Sequence, residues 1–289
     1  MAEHLFVPLI QEMGGAGSYA MLSTDMNTNT AVVFVHGFFG DPVTTWLDFP
    51  RMMDQWSGSP WWDTCDAYFF RYGSIHNSTA TTADDLANEL RKIFPRPAAR
   101  FFRIAKRGLP RDLEILFTAA DIEDVRPGPY QYEHLVLAGH SEGGFVLRRL
   151  ALQVLKDFGP QDALLQAKLR LFAPALFGAA PSGLPGFLYE TFGLRTLARM
   201  FLGASVAYQE LRSGSGILQS VREQTEKYGE DDASPVALRA LVLWGKNDEI
   251  LLQGEYEHDK RYKRLDGHNH SSICKPTTAF LTPLEFVSA

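Results

Sequence analysis

The sequence predicts an α/β domain built on a mostly parallel sheet, and three observations carry that expectation. Short, continuous apolar runs recur along the chain, each closed by glycine or proline. Amphipathic helical stripes separate several of them, so strands and helices alternate. One run leads straight into Gly139-His140-Ser141-Glu142-Gly143, a glycine-flanked turn between a strand pattern and a helix pattern.

Taken in order, the first run is Ala31-Val32-Val33-Phe34-Val35-His36, which ends at Gly37 and suits a strand covered on both faces. Gly15-Ala16-Gly17-Ser18-Tyr19-Ala20 precedes it and matches G-x-G-x-x-A. Too little chain follows for a crossover helix, and the next strand ends in His36 rather than an acid, so these glycines are read as a turn. Ala67 to Tyr72 is the second strand. A helix then runs from a capping-box-like Thr82 and Asp85 through the stripe Leu86, Leu90, Ile93 and Phe94 to Pro95. Leu135-Val136-Leu137-Ala138 is the strand before the glycine turn. The helix behind it carries Val146, Leu150 and Val154 one turn apart and stops at Gly159-Pro160. Leu169 to Ala173 and Leu238 to Trp244 are further strands. Residues 96 to 132 and 175 to 236 interrupt the alternation. They read as insertions in a single domain spanning 1 to 289, the second as a helical cap.

Composition narrows the function classes. A net charge of −6 with no long basic run argues against a nucleic-acid partner. Arg96, Arg100, Arg103, Lys106, Arg107 and Arg111 read as a solvated helix face. Cys65 and Cys274 are too few for a disulfide framework, and no metal-ligand spacing is present, so neither metal nor cofactor is expected. The first residues lack a positively charged leader pattern. The most apolar longer segment, Leu184 to Tyr208, carries Glu190, Arg195 and Arg199. The expectation is a cytoplasmic protein without a transmembrane segment.

The chemistry centres on Ser141. In G-x-S-x-G behind a strand, the serine sits on a sharp turn with its hydroxyl presented, and the helix start supplies unpaired N–H groups. The plainer alternative is an ordinary strand-to-helix turn with Ser141 as a cap. Acyl transfer also needs a base, a group to orient it and donors for an oxyanion. In this arrangement the acid and then the histidine follow the serine along the chain. Asp248 is the preferred acid, just past the strand ending at Trp244, with Glu249 its neighbour and rival. His258 lies among charges and reads as surface. His268 and His270 both stand in a glycine-containing loop. His270 is preferred because Ser271-Ser272-Ile273 would start the last helix directly behind it. The oxyanion donors are assigned to the backbone N–H groups of Phe38 and Glu142, with Gly37, Phe39 and His140 bordering the substrate. His36 is read as ordering the Gly37 to Gly40 turn, while His134 and the body of His140 are packing.

These residues match a family. Val35-His36-Gly37-Phe38-Phe39-Gly40-Asp41-Pro42, with Thr45-Trp46, resembles the opening of lipase-like α/β-hydrolases. It is most similar to serine esterases related to GPI inositol-deacylases. Gly139 to Gly143 matches their nucleophile turn and Asp248 their acid loop, and His270-Ser271-Ser272-Ile273-Cys274-Lys275 is similar to their histidine segment. Ala173-Pro174 with Gly178, and Leu211 to Leu218, look like segments that border the pocket. The resemblance covers 31 to 276 and departs at 96 to 132. It implies a serine hydrolase acting on a small-molecule or lipid carboxylic ester. A thioesterase or acyltransferase with the same triad, or a non-catalytic binding module of this fold, are the alternatives.

Overall fold

The structure is a computed structural model. It describes residues 4–9, 18–25, 27–46, 48–55, 59–73, 77–97, 130–178, 205–229, 233–251, 259 and 261–289. Eight strands form one sheet: β1 (His4–Pro8), β2 (Tyr19–Ser23), β3 (Thr30–Val35), β4 (Cys65–Phe70), β5 (His134–His140), β6 (Lys168–Phe172), β7 (Leu241–Gly245) and β8 (Tyr262–Leu265). Their order across the sheet is β1-β2-β4-β3-β5-β6-β7-β8. The first two pairs, β1 with β2 and β2 with β4, are antiparallel and the other five are parallel. The carboxyl ends of β3, β5, β6, β7 and β8 therefore share one edge of the sheet, where ligand sites of open α/β sheets collect.

The central strands are largely apolar because both faces are covered. Every residue of Thr30–Val35 is buried. On one face, Tyr19, Phe69 and Phe34 stack across β2, β4 and β3, with centroids 4.4 and 4.7 Å apart. Trp46 and Phe49 close over Phe34 from α1 (Pro42–Trp46) and α2 (Asp48–Gln55). Phe286 of α7 (Thr282–Ser288) reaches the same layer through Phe172. Such ring pairs add about 0.5–1.5 kcal/mol each beyond the area they bury.

Three more helices form a second group in which α4 (Glu142–Phe158) packs against both α3 (Thr79–Ile93) and α6 (Gly216–Gly229), with the short α5 (Val206–Glu210) leading into α6. Arg148 of α4 is fully buried. It donates to Asp259 Oδ1 at 2.5 Å and to the Leu238 carbonyl at 3.0 Å.

Several elements differ from the sequence expectation. The third-helix cap is Ser78, whose hydroxyl accepts the Thr81 N–H, so α3 starts a turn before Thr82. Val236–Leu238 forms a 3₁₀ turn and β7 begins only at Leu241. The last helix does not start behind His270. Residues 270–274 form turns in which Asn269 Oδ1 accepts the Ser271 and Ser272 N–H groups, and Pro276 cannot supply the donor that a longer helix needs. Of the segment 175 to 236, α6 packs on α4, with Leu218 and Val221 buried in the core. The apolar stretch 184 to 202, the glycines at 15 and 17, His258 and most of 96 to 132 lie outside the described residues. Among the described residues no helix is long and apolar enough to cross a membrane.

Candidate active site

Ser141 stands between β5 and α4 with φ 57° and ψ −120°. That left-handed conformation is costly for a residue with a side chain and persists only where the surroundings enforce it. Here they do. The Ser141 N–H donates to the Phe172 carbonyl of β6 at 3.0 Å, and its own carbonyl accepts the Gly144 and Ala175 N–H groups at 3.1 Å each. The glycines of the motif are required by contact. A Cβ on Gly139 would lie 2.8 Å from the Gly143 and Gly144 backbone, and one on Gly143 would overlap the carbonyls of Val35 and His36. The start of α4 thus rests directly on the ends of β3 and β5. Ser141 is 5% exposed.

The turn after β3 lies against it. A Cβ on Gly37 would come within 2.8 Å of Ser141 Cβ. The Gly40 N–H closes the turn on the Gly37 carbonyl at 2.9 Å, and Phe39 adopts φ 56°. His36 orders this turn as the sequence led one to expect. Its Nδ1 meets the Gly37 carbonyl at 2.8 Å and its Nε2 accepts the Tyr72 N–H at 3.4 Å, a pattern that fits the neutral Nδ1–H tautomer. Burial pushes its pKa down to about 4, against the Gly37 hydrogen bond and the Asp41 charge. Phe38 is buried edge-on to Phe39 and faces Tyr208 of α5, centroids 6.3 Å apart.

On the other side of Ser141, the β7 and β8 loops bring Asp248 and His270 together. Gly245, the last residue of β7, makes this possible: a Cβ there would overlap the His268 carbonyl. The Asn247 N–H then donates to that carbonyl at 3.0 Å, locking one loop onto the other. Asp248 Oδ1 accepts the Ile250 and Leu251 N–H groups at 2.9 and 3.1 Å. Its Oδ2 accepts His270 Nδ1–H at 2.7 Å. Burial pushes the Asp248 carboxyl up. The hydrogen bond and charge of His270, with the two backbone donors, outweigh this and hold it below the usual carboxylate range.

The rival residues are sorted by their surroundings. Glu249 is exposed, and the His268 ring stacks on Phe280 at 3.8 Å. His140 has a role that sequence patterning did not reveal: its Nε2 donates to the His270 carbonyl at 2.8 Å, and its ring lies 4.7 Å from that of His270. Burial, with the His270 charge, pushes the His140 pKa down to about 3, so it stays neutral. The residue before Ser141 is therefore tied to the backbone of the histidine that meets Asp248. Tyr72 was also missed. It follows β4 and donates its hydroxyl to the His36 carbonyl at 2.8 Å. No local pattern marks it, because its partners are 36 residues away.

The arrangement offers a hydroxyl at a helix start, an imidazole oriented by a carboxylate and a glycine turn against the serine. Among the described residues no group of three or more His, Cys, Asp or Glu side chains is arranged to hold a metal. No known family profile matches the chain, and no curated protein matches it. Solved structures do. A lipase from Bacillus licheniformis in its mature form is 16% identical, aligned over 90% of this chain and 93% of its own, with a TM-score of 0.51. Carboxyl esterase 2 from the mycorrhizal fungus Tuber melanosporum is 13% identical over 99% of this chain and 83% of its own, also at a TM-score of 0.51. With its mostly parallel sheet, flanking helices and glycine-flanked turn after β5, the chain has the α/β-hydrolase fold.

Proposed function

We propose that this chain is a cofactor-free serine hydrolase that cleaves carboxylic esters. The observation that carries the reading is the Asp248–His270 hydrogen bond of 2.7 Å, made at the sheet edge that also holds the Ser141 turn. Ser141 Oγ attacks the ester carbonyl while His270 Nε2 takes its proton. The same imidazole returns that proton to the leaving alcohol, and Asp248 holds its tautomer and stabilises the charge it acquires. The N–H groups of Phe38 and Glu142 receive the oxyanion, worth on the order of 10²–10³ in rate per donor in comparable sites. Gly37, Phe39 and His140 border the acyl group. Water then hydrolyses the acyl-enzyme by the reverse sequence.

Within ester hydrolases, the segments His36 to Pro42 and His270 to Lys275 support a place beside the lipase-like esterases related to GPI inositol-deacylases. The substrate is then a small-molecule or lipid ester.

A fluorophosphonate probe with peptide mapping tests the reading. The expected adduct is on Ser141, and Ser141→Ala should lose labelling and about 10⁴- to 10⁶-fold in turnover while melting as a folded protein. A panel of esters and thioesters of graded chain length assigns the leaving group, thioesters being the arm that favours a thioesterase. A wild-type protein that neither labels nor turns over any panel member would be a binding module instead.

A further inference from the structure

Glu142 is the buried acid that this chemistry leaves unused. Its backbone N–H is assigned to the oxyanion, but its side chain has no such task. The residue is 1% exposed, and neither carboxyl oxygen makes a hydrogen bond of good geometry. Burial pushes the carboxyl well above its usual range. The nearby Tyr72 hydroxyl opposes this, and the Glu210 charge adds to it. Glu210 itself is engaged elsewhere, accepting the Thr79 N–H at 2.7 Å with Arg149 at 3.7 Å. Burial of this kind favours the neutral acid, which has an O–H to give. A leucine or methionine would fill the space without the cost of desolvating it.

The neighbour of Glu142 is Tyr72: the His36 carbonyl that accepts the Tyr72 hydroxyl is the one against which Gly143 packs, so closely that a Cβ built there would overlap it. Tyr72 is buried and held as the neutral phenol first by burial and then by Glu142. Tyr72 is the support of His36. It donates to the His36 carbonyl at 2.8 Å, its N–H meets His36 Nε2, and its ring stacks on the imidazole at 4.3 Å and 11°. His36 in turn fixes the Gly37 carbonyl, on which the Gly37–Gly40 turn closes. Continuity therefore runs from the Glu142 carboxyl through Tyr72 and His36 to the turn that carries the Phe38 N–H.

From this geometry we infer that Glu142 is a positioning residue: its carboxyl steadies Tyr72, which through His36 sets the turn that presents the Phe38 N–H to the reacting carbonyl. The inference rests on the serine-hydrolase reading above. The residue acts through Tyr72, so its removal and the removal of the Tyr72 hydroxyl should not add.

The test measures the fluorophosphonate labelling rate, kcat and KM on a butyrate ester, and the melting temperature. The proteins are wild type, Glu142→Gln, Glu142→Leu, Tyr72→Phe and the Glu142→Leu/Tyr72→Phe double variant. Glu142→Leu should lower kcat and the labelling rate about 10- to 100-fold, short of the loss of a whole donor, with KM within about threefold. Glu142→Gln, which keeps an N–H donor, should recover most of that loss. In the Tyr72→Phe background, Glu142→Leu should cost no more than about a further twofold. Equal rates for Glu142→Leu and wild type, a glutamine variant as slow as the leucine one, or losses that multiply would each overturn the inference. If Glu142→Leu does not fold, the paired outcome is read from Tyr72→Phe and Glu142→Gln: the first must lose kcat at constant KM, or the relay is wrong. Wild-type protein that never labels on Ser141 overturns the hydrolase reading itself, a result seen before any variant is compared.

Discussion

Replacing Asp248 by asparagine tests the proposed base and its orientation together. Two backbone donors, the N–H groups of Ile250 and Leu251, hold Asp248 Oδ1 at 2.9 and 3.1 Å. An asparagine must keep its only carbonyl oxygen there, since turning the amide over would set NH₂ against both donors. Its NH₂ then occupies the Oδ2 position, 2.7 Å from His270 Nδ1. Two donors cannot face each other at that distance, so the imidazole proton moves to Nε2, the nitrogen that should receive the Ser141 proton. The expected loss is about 10⁴-fold in kcat near neutral pH, equivalent to about 5.5 kcal/mol of barrier. Hydrolysis of p-nitrophenyl butyrate at pH 7.5 and the labelling rate at Ser141 measure it. An Asp248→Asn protein within about tenfold of wild type would show that Asp248 does not orient the base. The same carboxylate predicts a pH signature. Its folded pKa is depressed, so its contribution to stability is complete above the ordinary aspartate value and is lost as pH falls through the lower folded one. The gap in melting temperature between wild type and Asp248→Asn should be widest near neutrality and close below about pH 4.

Glu249→Gln and His268→Ala should each keep activity within about threefold, because one is exposed and the other stacks on Phe280; a loss like that of Asp248→Asn would reassign the pair. Gly245→Ala forces a Cβ into the His268 carbonyl, so the two loops must part; kcat should fall on the order of a hundredfold, and an unchanged rate would show the loops to be independent. Asp259→Ala strips the carboxylate 2.5 Å from buried Arg148 and should cost about 3–5 kcal/mol in urea unfolding, with an effect under 1 kcal/mol counting against a structural pair. Activity should survive exhaustive chelation; loss restored by a divalent ion would contradict the metal-free mechanism.

The parallel core was legible because burial on both faces writes itself as unbroken apolar runs, as in Ala31 to Val35 and Leu135 to Ala138. The edges were not. Tyr262–Leu265 reads Tyr-Lys-Arg-Leu, two exposed positions followed by two half-buried ones, so β8 carries no apolar signature. The antiparallel β1 and β2 sit outside the strand–helix alternation that guided the reading. At the site, the pairing of Asp248 with His270 followed from chain order and loop position. No helix starts behind His270, since Asn269 caps a turn there, a signal present in Asn269 followed by Ser272. The support residues Tyr72 and His140 were hidden because their partners, His36 and His270, are distant in sequence and each contact is a side chain on a backbone carbonyl. Hydrophobic period carries no trace of such bonds.

The tie between His140 and His270 joins residues 130 positions apart. A chain made at about 5–20 residues per second takes about 6 to 26 s to travel from the first to the second. During that interval the β5 turn can be present in the nascent polypeptide, but the proton acceptor proposed for it is not yet made. On the proposed mechanism, hydrolytic competence would arrive only once the segment after β8 is made and β8 has closed onto β7. A ribosome-bound fragment ending before residue 262 holds Ser141 without the imidazole proposed to activate it.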